Sequence, residues 1–366
     1  MHYLFYLGHP AHFHLFRNTI QTLKLRGHKI SLLIKKKDIL EDLLKLCEIP
    51  YLNILPEGRG DSKTGLAIGV LKRDIRLFRF CLNNRPDLMI GTSVEIGHIG
   101  TILNIPSLNV NEDDANCVPM YSKLGYPFSS YILSPSVCKN GRWEGKSIKY
   151  EGYHELAYLH PTVFMPSKEV LLRYLTKEEP YSLIRFAKLN AHHDKGVKGI
   201  TADIARNLIL VLEKFGKVFI TSERQLEPEF ESYRISINPI DIHHIMAFAQ
   251  VYIGDSQTMA AESGVLGVPF FRFNDFVGRL GYLNELENKY ELGYGILPSN
   301  PEILYTKVEE VLQMKNRFNT FQSRRQTMLN DKIRLSGFLT WFIENYPSSV
   351  EIMSKDPGYQ FNFKSS

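Results

Sequence analysis

With 366 residues, 44% of them hydrophobic and 23% charged, the chain has the length and make-up of two soluble domains of ordinary size, each able to bury a core. No apolar run is long enough to favour a transmembrane span, and the four scattered cysteines (Cys47, Cys81, Cys117, Cys138) show no CxxC or CxxH spacing, which argues against a zinc site or a disulfide framework and for a reducing compartment. The net charge of +5 is spread along the chain, so it favours anionic small molecules or a membrane surface over duplex nucleic acid, which calls for a concentrated basic stripe.

The apolar N-terminus lacks a basic n-region and a small-residue cleavage site, and reads as a first strand, Tyr3 to Leu7, rather than a signal peptide. It ends in Gly8-His9-Pro10-Ala11-His12-Phe13-His14, followed by a helix with Leu15, Ile20 and Leu23 on its apolar side. Three histidines on such a turn, with no adjacent carboxylate, fit substrate contact better than zinc, and His12 and His14 are candidates; plain surface turn residues are the alternative. A strand over Lys29–Lys35, a helix over Asp38–Cys47 and a strand over Tyr51–Leu55 come next. Glycines 58, 60 and 65 then mark a loop that misses the P-loop spacing. The helix Leu66–Asn83 puts Leu71, Ile75, Phe78 and Leu82 on one face, read as the core face, and Lys72, Arg76 and Arg79 on a flank that is either solvated or rests on anionic lipid.

Strands over Pro86–Gly91 and Ile105–Val110 follow. The second ends in Asn111-Glu112-Asp113-Asp114, where Glu112 and Asp113 are candidates for acid/base work or sugar-hydroxyl contacts, because open α/β sheets bind ligands at the carboxyl ends of their strands. A capping turn explains one of the aspartates but not all three acids. Tyr131–Ser134 is the last strand expected in this half, and the irregular stretch from Lys149 to Pro180 reads as the interdomain connection.

The second half starts with a strand from Tyr181 and the loop Asn190–Gly196. It continues through the helix Thr201–Phe215, the strand Lys217–Thr221, the turn Ser222-Glu223-Arg224 and the helix Asp241–Phe248. Its centre is Val251–Phe271, a strand, the turn Gly254-Asp255-Ser256, a helix Gln257–Leu266, a stop at Gly267 and another strand. Such a unit aims the N–H groups of Gln257, Thr258 and Met259 out of the sheet as a phosphate site, with Glu262 placed to accept from a ribose diol; a plain N-capped helix is the alternative. Arg279, in the turn after the next strand, is within reach of a phosphate. Helices fill 301–346, and the polar tail 347–366 is expected to fray.

Two successive doubly wound halves resemble the GT-B architecture of nucleotide-sugar glycosyltransferases and UDP-N-acetylglucosamine 2-epimerases. Gly254-Asp255-Ser256 through Glu262 and then Gly267-Val268-Pro269 is similar to the UDP-binding stretch of those epimerases, and Ala191-His192-His193 stands where they carry a His-Arg loop. Gly91-Thr92-Ser93 departs from them, lacking the acid they have after the fourth strand. More closely, the histidine turn, Val110–Asp114, Glu155–Pro161 and Gly254–Asp275 resemble the family catalogued as domain of unknown function 354.

The resemblance implies an α/β fold of two Rossmann-like domains facing each other across a cleft, residues 1–165 on the acceptor side and 166–346 binding the nucleotide sugar. It implies that Ser256, Gln257 and Thr258 hold a diphosphate and Glu262 a ribose. Ser222 and Glu223 would border the base, with His193 and Arg279 as further phosphate contacts. The expected activity is cytoplasmic, metal-independent glycosyl transfer from a UDP-sugar, the substrate and not a cofactor, to a sugar or lipid-linked acceptor in surface polysaccharide synthesis, with Glu112, His12 or His14 as base. A nucleotide-sugar 2-epimerase using Glu112, Asp113 and His193, or a non-catalytic binding protein, is the alternative.

Overall fold

The computed structural model describes residues 1–58, 63–175, 177–187 and 199–364, and the chain divides into two compact units, residues 1–158 with 332–366, and residues 159–331.

The first unit alternates strands and helices: β1 (His2–Leu7), α1 (Pro10–Leu25), β2 (Lys29–Ile34), α2 (Leu40–Leu46), β3 (Leu52–Asn53) and α3 (Lys63–Asn84). It goes on through β4 (Leu88–Gly91), α4 (Val94–Leu103), β5 (Ser107–Val110), α5 (Pro119–Gly125), β6 (Tyr131–Pro135) and β7 (Ser147–Tyr150). All seven strands are parallel, in the order β3-β2-β1-β4-β5-β6-β7. Central strands such as β1 and β4 are apolar on both faces, as a parallel sheet covered by helices requires. Gly91 ends β4 where any Cβ would come within 2.5 Å of the Tyr6 carbonyl, so only glycine lets these strands close the switch point of the sheet.

In the second unit a short α6 (Lys168–Leu171) precedes β8 (Tyr181–Phe186), α7 (Ala202–Leu212), β9 (Lys217–Ser222), α8 (Ile242–Ala247), β10 (Tyr252–Gly254) and α9 (Gln257–Leu266). Then come β11 (Phe270–Phe273), α10 (Gly281–Asn288), β12 (Gly293–Ile296), α11 (Pro301–Gln313) and α12 (Arg317–Asp331). Its five strands are also parallel, ordered β12-β11-β10-β8-β9, so its switch point lies between β8 and β10. Gly267, at φ +76°, ends α9 in the left-handed region. α12 holds the carboxyl end of α9: Arg325 Nε donates to the Val265 carbonyl (2.7 Å) and Gln322 to those of Leu266 and Gly267.

Four expectations change. The unit boundary falls at 158/159, and the terminal helices α13 (Leu335–Glu344) and α14 (Ser348–Lys355) belong with the first unit instead of the second. The reason is packing: Thr19 of α1 bonds the Ser336 carbonyl, His28 bonds Glu344 (2.9 Å), and Phe338 meets Tyr150. The tail is ordered rather than frayed, because Tyr359 stacks on Trp341 at 4.7 Å and the Gln360 side chain accepts from the Glu151 N–H. β7 extends the first sheet beyond its expected last strand, within a stretch whose 3-10 turns hide the strand pattern. In α3 the core row is Leu77 and Cys81 with buried Arg73, whereas Leu71, Ile75 and Leu82 are exposed. That helix carries two apolar stripes; of the expected row only Phe78 packs against the core, partly buried.

Candidate functional site

At the carboxyl edge of the first sheet, the three histidines of the β1 turn take three different roles. His9 caps α1, its Nδ1 accepting from the Ala11 N–H. His12 Nδ1 accepts from the Gly8 N–H (3.2 Å), and burial holds the ring well below the usual histidine range, so it is neutral with its proton on Nε2. A ring in that tautomer donates a hydrogen bond; it is not poised as a base. His14 points inward, buried beside Phe13 and Tyr158.

Glu112, at the end of β5, faces a partner that the sequence reading missed. Its Oε2 accepts from the His154 N–H (3.1 Å), and its Oε1 lies 3.4 Å from His154 Nδ1. Burial pushes His154 down to about 3, so the ring is neutral, and its Nε2 is buried without a hydrogen-bond partner among the described residues. With the Nδ1 proton directed at the carboxylate, the Nε2 lone pair is the basic atom. A positive charge on His154 would lower His12 further, so His154 lies within electrostatic reach of that ring.

A second carboxylate, Glu95, lies in the first turn of α4 after the switch-point strand β4. It is buried, accepts from Arg73 Nε (2.5 Å) and from the Ser93 hydroxyl. Burial raises its carboxyl, but Arg73, Lys35 and the Ser93 hydroxyl outweigh that and leave it below its ordinary value, hence ionised. Asp113 is half-buried, and Asp114 fixes the next turn by accepting from the Lys139 N–H (2.9 Å), a structural role.

In the second unit the helix start after β10 is capped as expected, but one of the three N–H groups expected to face a ligand is taken by the cap. The Ser256 hydroxyl takes the Met259 N–H, leaving those of Gln257 and Thr258 for a ligand. The Gln257 side chain is committed to Arg272 (2.9 Å) and Asn274. Arg272, fully buried at the end of β11, also bridges to Glu287 and so places a guanidinium under the helix start. Glu262 is buried in α9 and its Oε1 lies 2.9 Å from His243 Nε2 of α8, a Glu–His pair in the second unit.

Asp255, just before the helix, is buried. Its Oδ1 accepts from the Ala187 N–H at the end of β8 (2.6 Å), and burial pushes its carboxyl up to about 6. The Ser222 hydroxyl turns back on the backbone of Arg224, and Glu223 pairs with Arg185 (2.5 Å) at the ends of β9 and β8. Arg279 is exposed over the Phe276 ring. His193 lies outside the described residues.

Thus Ser256, Gln257, Thr258 and Glu262 share one helix after the switch-point strand, and Ser222 and Glu223 lie at the end of β9, two strands from β10 in the same sheet. His12 and Glu112 lie at the carboxyl edge of the other sheet, while His14 is turned into the packing of its own helix. His154, Glu95 and Arg272 were not read from sequence as site residues. Among the described residues no three or more histidines, cysteines or acids are grouped to hold a metal ion, and no helix is long and apolar enough to cross a membrane.

No curated protein matches the chain. Among solved structures it resembles MnaA of S. aureus, solved with UDP, at 12% identity and a TM-score of 0.68 over 96% of this chain and 98% of that one. It also resembles the UDP-GlcNAc 2-epimerase of Neisseria meningitidis bound to UDP-GlcNAc (14%, TM-score 0.60, 90% and 100% covered). A third is the spinosyn rhamnosyltransferase SpnG complexed with spinosyn aglycone (13%, TM-score 0.62, 94% and 100% covered). At these identities the shared property is the GT-B fold, two α/β units with parallel sheets. The model of the family described as Protein of unknown function (DUF354) matches residues 5–275, most of the chain, and the chain belongs to that family.

Proposed function

We propose that the chain is a glycosyltransferase that uses a nucleotide sugar, with uridine diphosphate as the leaving group, in the synthesis of a surface polysaccharide or glycoconjugate. The observation that carries the reading is the start of α9: two helix N–H groups left open by the Ser256 cap, a buried guanidinium beneath them, and the buried Glu262 less than two turns on. Those N–H groups and the helix dipole would take the charge that develops on the departing diphosphate, and the carboxylate would orient the ribose. That neighbours of the same fold were solved with UDP and UDP-GlcNAc supports this choice of donor.

In the first unit, Glu112 and His154 would act together. The carboxylate would orient the ring and His154 Nε2 would accept the proton of an acceptor hydroxyl; because burial disfavours the imidazolium, the ring is a weak base and relies on the facing Glu112 carboxylate to offset the charge it gains. His12 would donate from Nε2 to a sugar or acceptor oxygen.

A second reading, 2-epimerisation of the nucleotide sugar, is favoured by Glu95, because it supplies a carboxylate beside the Thr92-Ser93 turn that lacks one. Its partner Arg73 keeps it ionised, which suits a base and not an acid. Proton NMR of the purified protein with UDP-N-acetylglucosamine and related nucleotide sugars, first without an acceptor, separates the readings. Saturation transfer to the nucleotide without conversion is the expected result. New anomeric signals on an intact nucleotide sugar would replace the transferase by the epimerase, and no transfer to any member would refute both.

A further inference from the structure

We propose that the outer face of α3, with the adjoining parts of α4 and α5, docks on an anionic lipid surface. α3 is about 33 Å long at 1.5 Å per residue. Around it, Leu77 and Cys81 face the core, while Ile68, Leu71 (59% exposed) and Ile75 (42%) form a separate row turned to solvent. On the helical wheel Lys72 and Arg79 stand directly beside that row.

His98 of α4 ties α3 to α5. Its Nδ1 bonds Asp74 of α3 (3.0 Å), its Nε2 bonds the Leu124 carbonyl of α5 (2.9 Å), and its ring meets the edge of Phe128 at 5.1 Å. Around this junction Ile102 (66% exposed), Leu124 and Phe128 are also open to solvent. Ile68, Leu71 and Ile75 in one row of α3, with Ile102, Leu124 and Phe128 on the segments that His98 joins to it, make six large exposed apolar side chains in this part of the first unit.

Charge decides the occupant. The described acids of this face are spoken for: Glu57 holds Arg76 through two hydrogen bonds (2.8 and 3.0 Å) and lies 3.5 Å from Lys72, and Asp74 holds His98. Arg79 and Lys123 are exposed and enter no ion pair among the described residues. A second copy related by a twofold would set this basic rim against itself. A layer of anionic headgroups over an apolar interior meets both features, with the apolar row inserted at the acyl boundary and the long basic side chains reaching back to the phosphates. The surface belongs to the first unit alone and does not depend on the nucleotide-sugar reading.

The test is sedimentation of the full chain with vesicles of phosphatidylcholine alone and of phosphatidylcholine with phosphatidylglycerol. Binding is expected only with phosphatidylglycerol and weaker in high salt, because each basic residue near the surface contributes about fivefold to partitioning. L71E/I75E should lower binding more than tenfold, and K72E/R79E at least tenfold. All four side chains are substantially exposed, so the melting temperature should hold in both variants. As a second readout, the added fluorescence of I75W should be quenched by lipids brominated on their acyl chains. Absence of binding to anionic vesicles, equal binding to neutral ones, or unchanged binding by L71E/I75E would overturn the proposal. So would a dimer in ultracentrifugation that the same variant abolishes.

Discussion

The two sheets end in different chemistry. At the carboxyl edge of the first sheet lie neutral histidines and carboxylates: His12 with its donor nitrogen, His154 braced by Glu112, and Glu95 held by Arg73. At the edge of the second are an open helix start and buried or half-buried guanidiniums, Arg272 and Arg224, with Arg185 beside Glu223. In the proposed reaction the first edge would move protons and the second would hold the negative charge of the diphosphate. The same parallel sheet with a central switch point supports both, because its strands position whatever the following turns present.

The largest expected effect is on the first edge. Replacing His154 by Gln should lower the rate of whichever nucleotide-sugar conversion is observed by about 10²–10⁴-fold, the usual contribution of a general base, and leave UDP affinity unchanged. Glu112→Gln, which keeps a hydrogen-bond acceptor beside the ring, should lose less. Equal losses of turnover and UDP affinity in H154Q would mean that the two edges are not chemically separate.

The same contrast predicts opposite pH dependence of stability. His154 is held at about 3, below the unfolded value of 6.5, so its neutral form favours the folded state above pH 6.5. That advantage is lost as the pH falls from 6.5 to 3, by about 5 kcal/mol at most. Asp255 runs the other way. Its folded carboxyl is raised from 3.8 to about 6, so the folded state retains a proton that the unfolded chain has released, and stability declines as the pH rises through 4 to 6, by about 3 kcal/mol.

Both tryptophans, Trp143 and Trp341, lie in the first unit. Urea unfolding followed by their fluorescence should therefore report the histidine slope, which H154Q should flatten. The aspartate slope should show in far-ultraviolet circular dichroism and flatten in D255N. Equal slopes in wild type and variant would show that burial at that group does not govern its titration.

Much of this fold is legible in the sequence because local and global signals agree: β-branched runs end in glycine turns, helices start at Ser93, Ser167, Thr201 and Ser256, and Gly267 stops α9. The strand, capped helix start and helix at Val251–Phe271 were readable for the same reason, since they lie in one contiguous stretch. His154 was hidden because it sits in an aromatic, proline-flanked segment with no periodic pattern, and only folding brings it 42 residues back to Glu112. Its one signal was adjacency to Glu155–Pro161, a stretch already singled out by resemblance. Arg272 was concealed within an apolar strand, and Glu95 behind a capping turn. In α3 the difficulty was an excess of signal: two apolar rows satisfy the same helical period, and which one meets the sheet is decided by tertiary packing.

Glu262 tests the second edge with the smallest expected effect. Its carboxylate is buried and bonded to His243, so Glu262→Ala would remove the proposed ribose acceptor and also leave a buried histidine without that partner. The alanine variant should therefore bind UDP about tenfold more weakly and melt at a lower temperature, two effects that calorimetry and a thermal scan measure separately. Glu262→Gln keeps an oxygen for His243 and should restore most of the stability. If the ribose diol needs the charge, as a strong hydrogen bond between two hydroxyls and one carboxylate implies, UDP affinity should stay about fivefold reduced in the glutamine variant. Full recovery of affinity together with stability would make Glu262 a structural partner of His243. Unchanged affinity in a folded alanine variant would remove the nucleotide from this end of the sheet altogether.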